Sequence, residues 1–220
     1  MGKHTRGKEF KGTKGKEMPR STVYVFAEGQ TEIIYLKHYE SREYNVYVVP
    51  IDSGHTDAVG IVKFAKNYIS QADIDIDLGD CGYCVFDSDP ESNPNISEAF
   101  NLLFGYQDKG LKFIFSNPSF EVWFALHFGN APHGYTANKM KAYIKELVKD
   151  DFQNYSETTD LFDYLQSSQS SALKRAKALH ISQSKVVQKT VYSHECNPYT
   201  NIFEFIEYMN NIKEKKKYKK

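Results

Sequence analysis

A chain of 220 residues with 40% hydrophobic and 15% aromatic content is long enough to bury a real core as one domain with additions. No apolar run approaches the ~20 residues needed to cross a bilayer, and the charged, Gly-rich start lacks the apolar segment of a secretory signal. Membrane insertion and export by that route are therefore excluded as expectations.

Basic and acidic residues balance at 28 each, but they are unevenly placed. Residues 1–20 hold seven Lys/Arg against two Glu, and residues 213–220 hold six Lys against one Glu, so each end is +5. The body between them has 15 basic and 25 acidic residues, a charge of −10. Such a body suits a metal held centrally, with basic ends that touch polyanions or simply stay solvated. Three cysteines, Cys81, Cys84 and Cys196, form no paired framework and suit a reducing cytoplasm. Cys81 and Cys84 have C-x-x-C spacing but lead into a strand, without a second pair, and read as ordinary buried thiols.

Taken in order, residues 1–20 show no periodicity and read as a disordered basic tail. Thr22–Ala27 is a β-branched and aromatic run, a buried strand. It ends at Glu28-Gly29-Gln30-Thr31-Glu32, where the glycine permits a tight turn, Thr31 is a candidate cap, and Ile33, Ile34, Leu36 and Tyr39 form a helix face. Val46–Ile51 is the second strand, with a turn at Ser53–Thr56. Ala58, Ile61, Val62, Ala65, Tyr68 and Ile69 mark an amphipathic helix. The acidic stretch Asp73–Asp77 lacks the central Gly and terminal Glu of a calcium loop and reads as a solvated connection.

The third strand carries Tyr83-Cys84-Val85-Phe86-Asp87-Ser88-Asp89-Pro90. An apolar run that ends in Asp-x-Asp sets two hard oxygen donors at a sheet edge, where a divalent cation offsets their repulsion. An Asp-rich turn is the plainer account of the same residues. Ile96, Ala99, Phe100, Leu103 and Tyr106 form the next helix, and Leu111–Ser116 the fourth strand.

This βαβαβαβ order predicts a parallel sheet with right-handed crossovers, whose ligands gather at the C-terminal strand ends. Glu28, Asp52, Asp87, Asp89 and Asn117 fall there. The stretch from Asn117 to Gly129 reads as a buried helix with Asn117 as N-cap, Pro118 in the first position and Gly129 as the stop. Its Glu121 lies near the site end and reads as metal-linked or supporting the site. His127 reads as a core histidine. From Ala131 onward the pattern is helical only, in four segments. Lys174 and Arg175 put cations on one of them, either as a solvated face or toward a phosphate backbone. Asn197-Pro198-Tyr199-Thr200 repeats the Asn-Pro helix start.

A glutamate after strand one with Asp-x-Asp after strand three resembles the toprim arrangement of primases, topoisomerases and certain nucleases. The segments Glu28–Glu32, Phe86–Asp89, Ser116–Trp123 and Asn197–Thr200, in that order, look like the RloB family, toprim-type proteins found with restriction and phage-defence loci. The resemblance spans roughly residues 21–211. It implies a toprim-like α/β domain over 21–130 with about four parallel strands. A helical extension over 131–211 packs on it, and a lysine-rich tail follows at 212–220.

The resemblance further implies a Mg²⁺- or Mn²⁺-dependent nuclease in anti-phage defence. Glu28 is then general base or metal-linked acid, Asp87 and Asp89 hold the metal together with Glu28, and Glu121 belongs to the catalytic set. The substrate is tRNA, other RNA or DNA, the partner a co-encoded ATPase, and a homo-oligomer is compatible with the pattern. No tyrosine is placed as a topoisomerase nucleophile, so hydrolysis is expected over strand passage. Three other readings stay open: a non-catalytic binding or regulatory subunit, an Asp-x-Asp phosphatase, and a sheet edge with merely solvated carboxylates.

Overall fold

The computed structural model describes residues 20–41, 44, 46–88, 94–187 and 190–217. Its elements follow the order β1 (Ser21–Ala27), α1 (Gln30–Lys37), β2 (Val46–Pro50), α2 (Ala58–Gln71), β3 (Cys81–Asp87), α3 (Ile96–Phe104) and β4 (Leu111–Asn117). The second half contains α4 (Glu121–Phe128), α5 (Ala137–Val148), α6 (Phe162–Leu165), α7 (Gln169–Val186), β5 (Tyr199–Thr200) and α8 (Ile202–Lys217). The basic N-terminal run and Asp89 lie outside the described residues.

The strands form one sheet in the order β2-β1-β3-β4-β5. The first four are parallel, and β5 joins antiparallel to β4. Alternation along the strands sorts the side chains into two layers. Val23, Val25, Tyr83, Val85 and Ile114 face the core built with α1 and the later helices. Phe26, Cys84, Phe86, Phe113 and Phe115 face the core built with α2 and α3. A sheet covered on both faces needs near-continuous apolar strands, which is why β3 is buried along all of Cys81–Phe86. Each such Phe or Val contributes on the order of 1.5–3 kcal/mol by leaving water.

The register aligns the functional edge. Ala27 pairs with Val85 and Asp87 with Ser116, so β1, β3 and β4 end together. The residues after those strands therefore emerge on one rim. Helix α4 is buried from Glu121 through His127, as its all-round apolar pattern requires, and the Gly129 N–H donates to the Ala125 carbonyl at its end. Among the described residues, no helix is long and apolar enough to cross a membrane.

Two Asn-Pro steps differ from expectation. Asn117 is the last residue of β4, its bond to Pro118 is cis, and α4 begins three residues beyond Pro118 at Glu121. Asn197–Pro198 is also cis and leads into β5, so the chain after Ala131 is not wholly helical. Ser116 pairs with Thr200 and Asn117 with Tyr199. The two steps thus flank one antiparallel pairing in place of starting helices. Backbone pairing and the side chain of Asn201, which accepts from the Phe115 N–H, decide the outcome. Thr31 likewise does not cap α1; its hydroxyl donates to the Glu157 carbonyl, 3.1 Å away.

A buried carboxylate cluster at the C-terminal edge of the sheet

Four carboxylates meet at this rim, and each is placed by a different piece of backbone. Glu28 directly follows β1, and Glu32 lies in the first turn of α1, near enough to Glu28 for the two to repel. Asp87 ends β3, and Glu121 opens α4. Glu32 and Glu121 are 5% and 2% exposed, far below what an uncompensated charge tolerates.

The electrostatics bind these groups into one unit. The Glu32 carboxyl is pushed up to about 7, first by burial, with Glu121 and Glu28 adding repulsion. Burial also lifts Asp87 well above the ordinary carboxyl range, helped by Glu32, Glu121 and Glu28 and opposed by the Phe120 backbone N–H. Glu121 is raised by burial, though the Ser119 hydroxyl donates to its Oε2 at 2.6 Å and Lys141 lies near. Glu32 Oε2 is buried with no hydrogen-bond partner among the described residues.

A strap over the cluster comes from the second half of the chain. Thr31 holds the Glu157 carbonyl, and the Glu157 side chain pairs with Lys141 of α5. Burial works against the Lys141 charge, yet the Glu157 hydrogen bond, Glu121 and Asp87 together hold its ammonium above the usual lysine range. Behind Asp87, the Ser88 hydroxyl meets His194 Nδ1 at 2.8 Å, and Asn117 donates to the Ser193 and His194 carbonyls. The segment before β5 is thereby tied to the end of β3.

Of the residues singled out in the sequence, Glu28, Asp87 and Glu121 converge here, while Asp89 falls outside the described residues. Asp52 is exposed and closes its own turn by accepting from the Gly54 N–H. Lys174 is exposed on α7, whereas Arg175 donates to the Leu126 carbonyl at 2.6 Å, at the end of α4. His127 sits in the core, its Nδ1–H donating to the Trp123 carbonyl, with its pKa pushed down to about 4 by burial.

Sequence reasoning missed Glu32, Lys141 and the His194 contact. Only Glu32 left a signal. Two acids flanking a glycine turn at a strand end repel once the fold brings them together, and they persist where something needs both.

The donor set is all oxygen and acidic, which fits a hard divalent cation better than zinc. The buried, unpartnered Glu32 oxygen fits such an ion as well. Among the described residues no three Asp, Glu, His or Cys side chains are placed so that they could hold a metal ion together.

A family model described as RloB-like protein matches residues 23–209, and the chain belongs to that family. No curated protein and no solved structure matches it.

Proposed function

We propose that this RloB-like protein is a divalent-cation-dependent phosphodiesterase that hydrolyses nucleic acid as an effector of anti-phage defence. One observation carries the reading: Glu32 is buried beside Asp87, Glu121 and Glu28 with an oxygen left unpartnered. Repelling acids are not kept together in a dry rim without a cation or a proton to offset them.

Glu28, Asp87 and Asp89 would hold Mg²⁺ or Mn²⁺, with Glu32 added to the set. When bound, the ion supplies Lewis acidity toward a phosphoryl oxygen and charge compensation at the leaving oxygen. The remaining roles belong to the chain. Glu28, at the open end of β1, takes the proton of the attacking water. Ser119 and the Phe120 N–H orient Glu121 and Asp87. Lys141 lowers the negative potential that would otherwise repel substrate from an acidic body. The toprim resemblance supports the same assignment, and it adds a co-encoded ATPase as the partner that would regulate cleavage.

The test is incubation with tRNA, single-stranded RNA and plasmid DNA, with Mg²⁺, Mn²⁺ or EDTA, comparing wild type with Glu28→Gln and Asp87→Asn. Cleavage that needs the ion and is lost in both variants is the expected result. Cleavage that survives either substitution or EDTA sinks the proposal. A second reading, a non-catalytic binding or regulatory subunit, draws on the lack of three side chains placed to hold a metal ion among the described residues. It predicts nucleic-acid binding without turnover even when the ATPase is supplied. Phosphate-monoester turnover lost at Asp87 but indifferent to Glu28 would instead indicate the Asp-x-Asp phosphatase.

A further inference from the structure

Beside the cluster, α5 and the strap that follows it border an open pocket of about 450 Å³, within the range of about 300–1,000 Å³ usual for small-ligand sites. Its walls include Glu121, Lys141, Ala142, Lys145, Tyr155 and Glu157. Glu121 is therefore shared between the pocket and the carboxylate cluster.

Three features define what fits. Lys141 and Lys145 lie one turn apart on α5, so their ammonium groups rise on the same side of the opening. Between them the lining is Ala142, lysine stems and the Tyr155 ring, an apolar surface suited to a flat ring. The Tyr155 hydroxyl is buried with no hydrogen-bond partner among the described residues. Burial and the neighbouring Glu121, Glu157 and Glu32 raise its pKa, so it remains a donor without an acceptor. That hydroxyl is closed off from solvent, so what Tyr155 offers a ligand in the pocket is its ring.

We infer that this pocket takes one unstacked nucleotide of a single-stranded segment, with its base on Tyr155 and Ala142 and its phosphates at Lys141 and Lys145. The adjoining phosphodiester then lies over the carboxylate cluster. This rests on the phosphodiesterase reading for its orientation but names a substrate class of its own: unpaired strand. A base held in a duplex stack does not lie flat on the Tyr155 ring unless it is first extruded. Lys141 is already paired with Glu157, so a phosphate there shares that half-exposed ion pair, while Lys145 stands exposed at the opening.

The test uses the full-length chain carrying Glu28→Gln, so that binding is read without cutting. Anisotropy of a labelled single strand of about a dozen nucleotides is compared with a duplex of the same sequence. Single strand is expected to bind at least about tenfold tighter. Ala142→Trp fills the pocket from an exposed helix position and is expected to erase that preference. Tyr155→Ala, which removes the ring, is expected to weaken single-strand binding several-fold while Tyr155→Phe keeps it, and Lys145→Glu to weaken it and flatten its salt dependence.

Equal affinity for both forms, no measurable single-strand binding, or a preference untouched by Ala142→Trp overturns the inference. The two readings fail separately. Pocket-dependent binding with no cleavage by wild type under any ion removes the phosphodiesterase and leaves the pocket. Unchanged single-strand cleavage by Ala142→Trp alone removes the pocket and leaves the phosphodiesterase.

Discussion

Glu32 folds back over Gly29 so closely that a Cβ at position 29 would lie 2.8 Å from Glu32 Oε2. Gly29 has ordinary extended backbone angles, so its role is to leave room, not to adopt a special conformation. Gly29→Ala therefore pushes the carboxyl aside while the backbone stays put. Stability is expected to change by no more than about 1 kcal/mol, and ion-dependent cleavage to fall roughly 10–100-fold through misplacement. Melting curves and a cleavage time course with Mg²⁺ check both halves. Full activity would mean that the position of Glu32 does not matter.

The Glu32 carboxyl gives the fold a pH dependence of defined sign. Its pKa rises from 4.5 unfolded to about 7 folded. Between those values the native state holds a proton that the unfolded state has lost, so stability falls as pH rises through that window. The loss amounts to about 3 kcal/mol, complete above the folded value. A divalent ion competes with that proton. The Mg²⁺-induced rise in melting temperature is therefore expected to be large at pH 8 and absent near pH 5. Glu32→Gln is expected to remove the falling limb and shrink the Mg²⁺ response. An ion effect equal at both pH values would refute the coupling.

The sheet and most helices are readable in sequence because burial on both faces forces apolar runs and a 3.6-residue period. The rim was half readable. Glu28 and Asp87 declare themselves by ending strands, and Glu121 by sitting in an otherwise apolar helix. Glu32 hides inside a segment that also reads as a helix start. Lys141 and Tyr155 reach the site only through the fold of the second half, 20 and 34 residues beyond Glu121. The Asn-Pro steps misled because local preference favours a helix start, whereas the β4–β5 pairing decides the structure.

Ser119 and Glu121 are joined by a buried 2.6 Å hydrogen bond. Removing the hydroxyl in Ser119→Ala leaves the carboxylate without that donor and raises its pKa further. A hydrogen bond to a charged group is worth about 1.5–3 kcal/mol, and that is the expected destabilisation at pH 8. At a pH where Glu121 is protonated in both folded and unfolded states, most of the difference should vanish. Urea melts at the two pH values measure it. A loss of equal size at both would place the effect in packing and not in charge.

Arg175 closes the end of α4. Its guanidinium donates to the Leu126 carbonyl at 2.6 Å and to the His127 carbonyl at 3.4 Å, groups that a helix terminus otherwise leaves open. It also helps burial hold the His127 imidazole down, at about 4. Arg175→Ala is therefore expected to cost about 1–3 kcal/mol and to let the His127 pKa rise. Lys174→Ala, at the exposed neighbouring position, is expected to stay within about 0.5 kcal/mol. Chemical denaturation and a histidine titration by NMR follow the two effects. If nucleic-acid affinity, measured where both variants are folded, falls for Lys174→Ala as well, α7 also touches the phosphate backbone. If Arg175→Ala leaves stability unchanged, the carbonyl contacts are not what holds α4 in place.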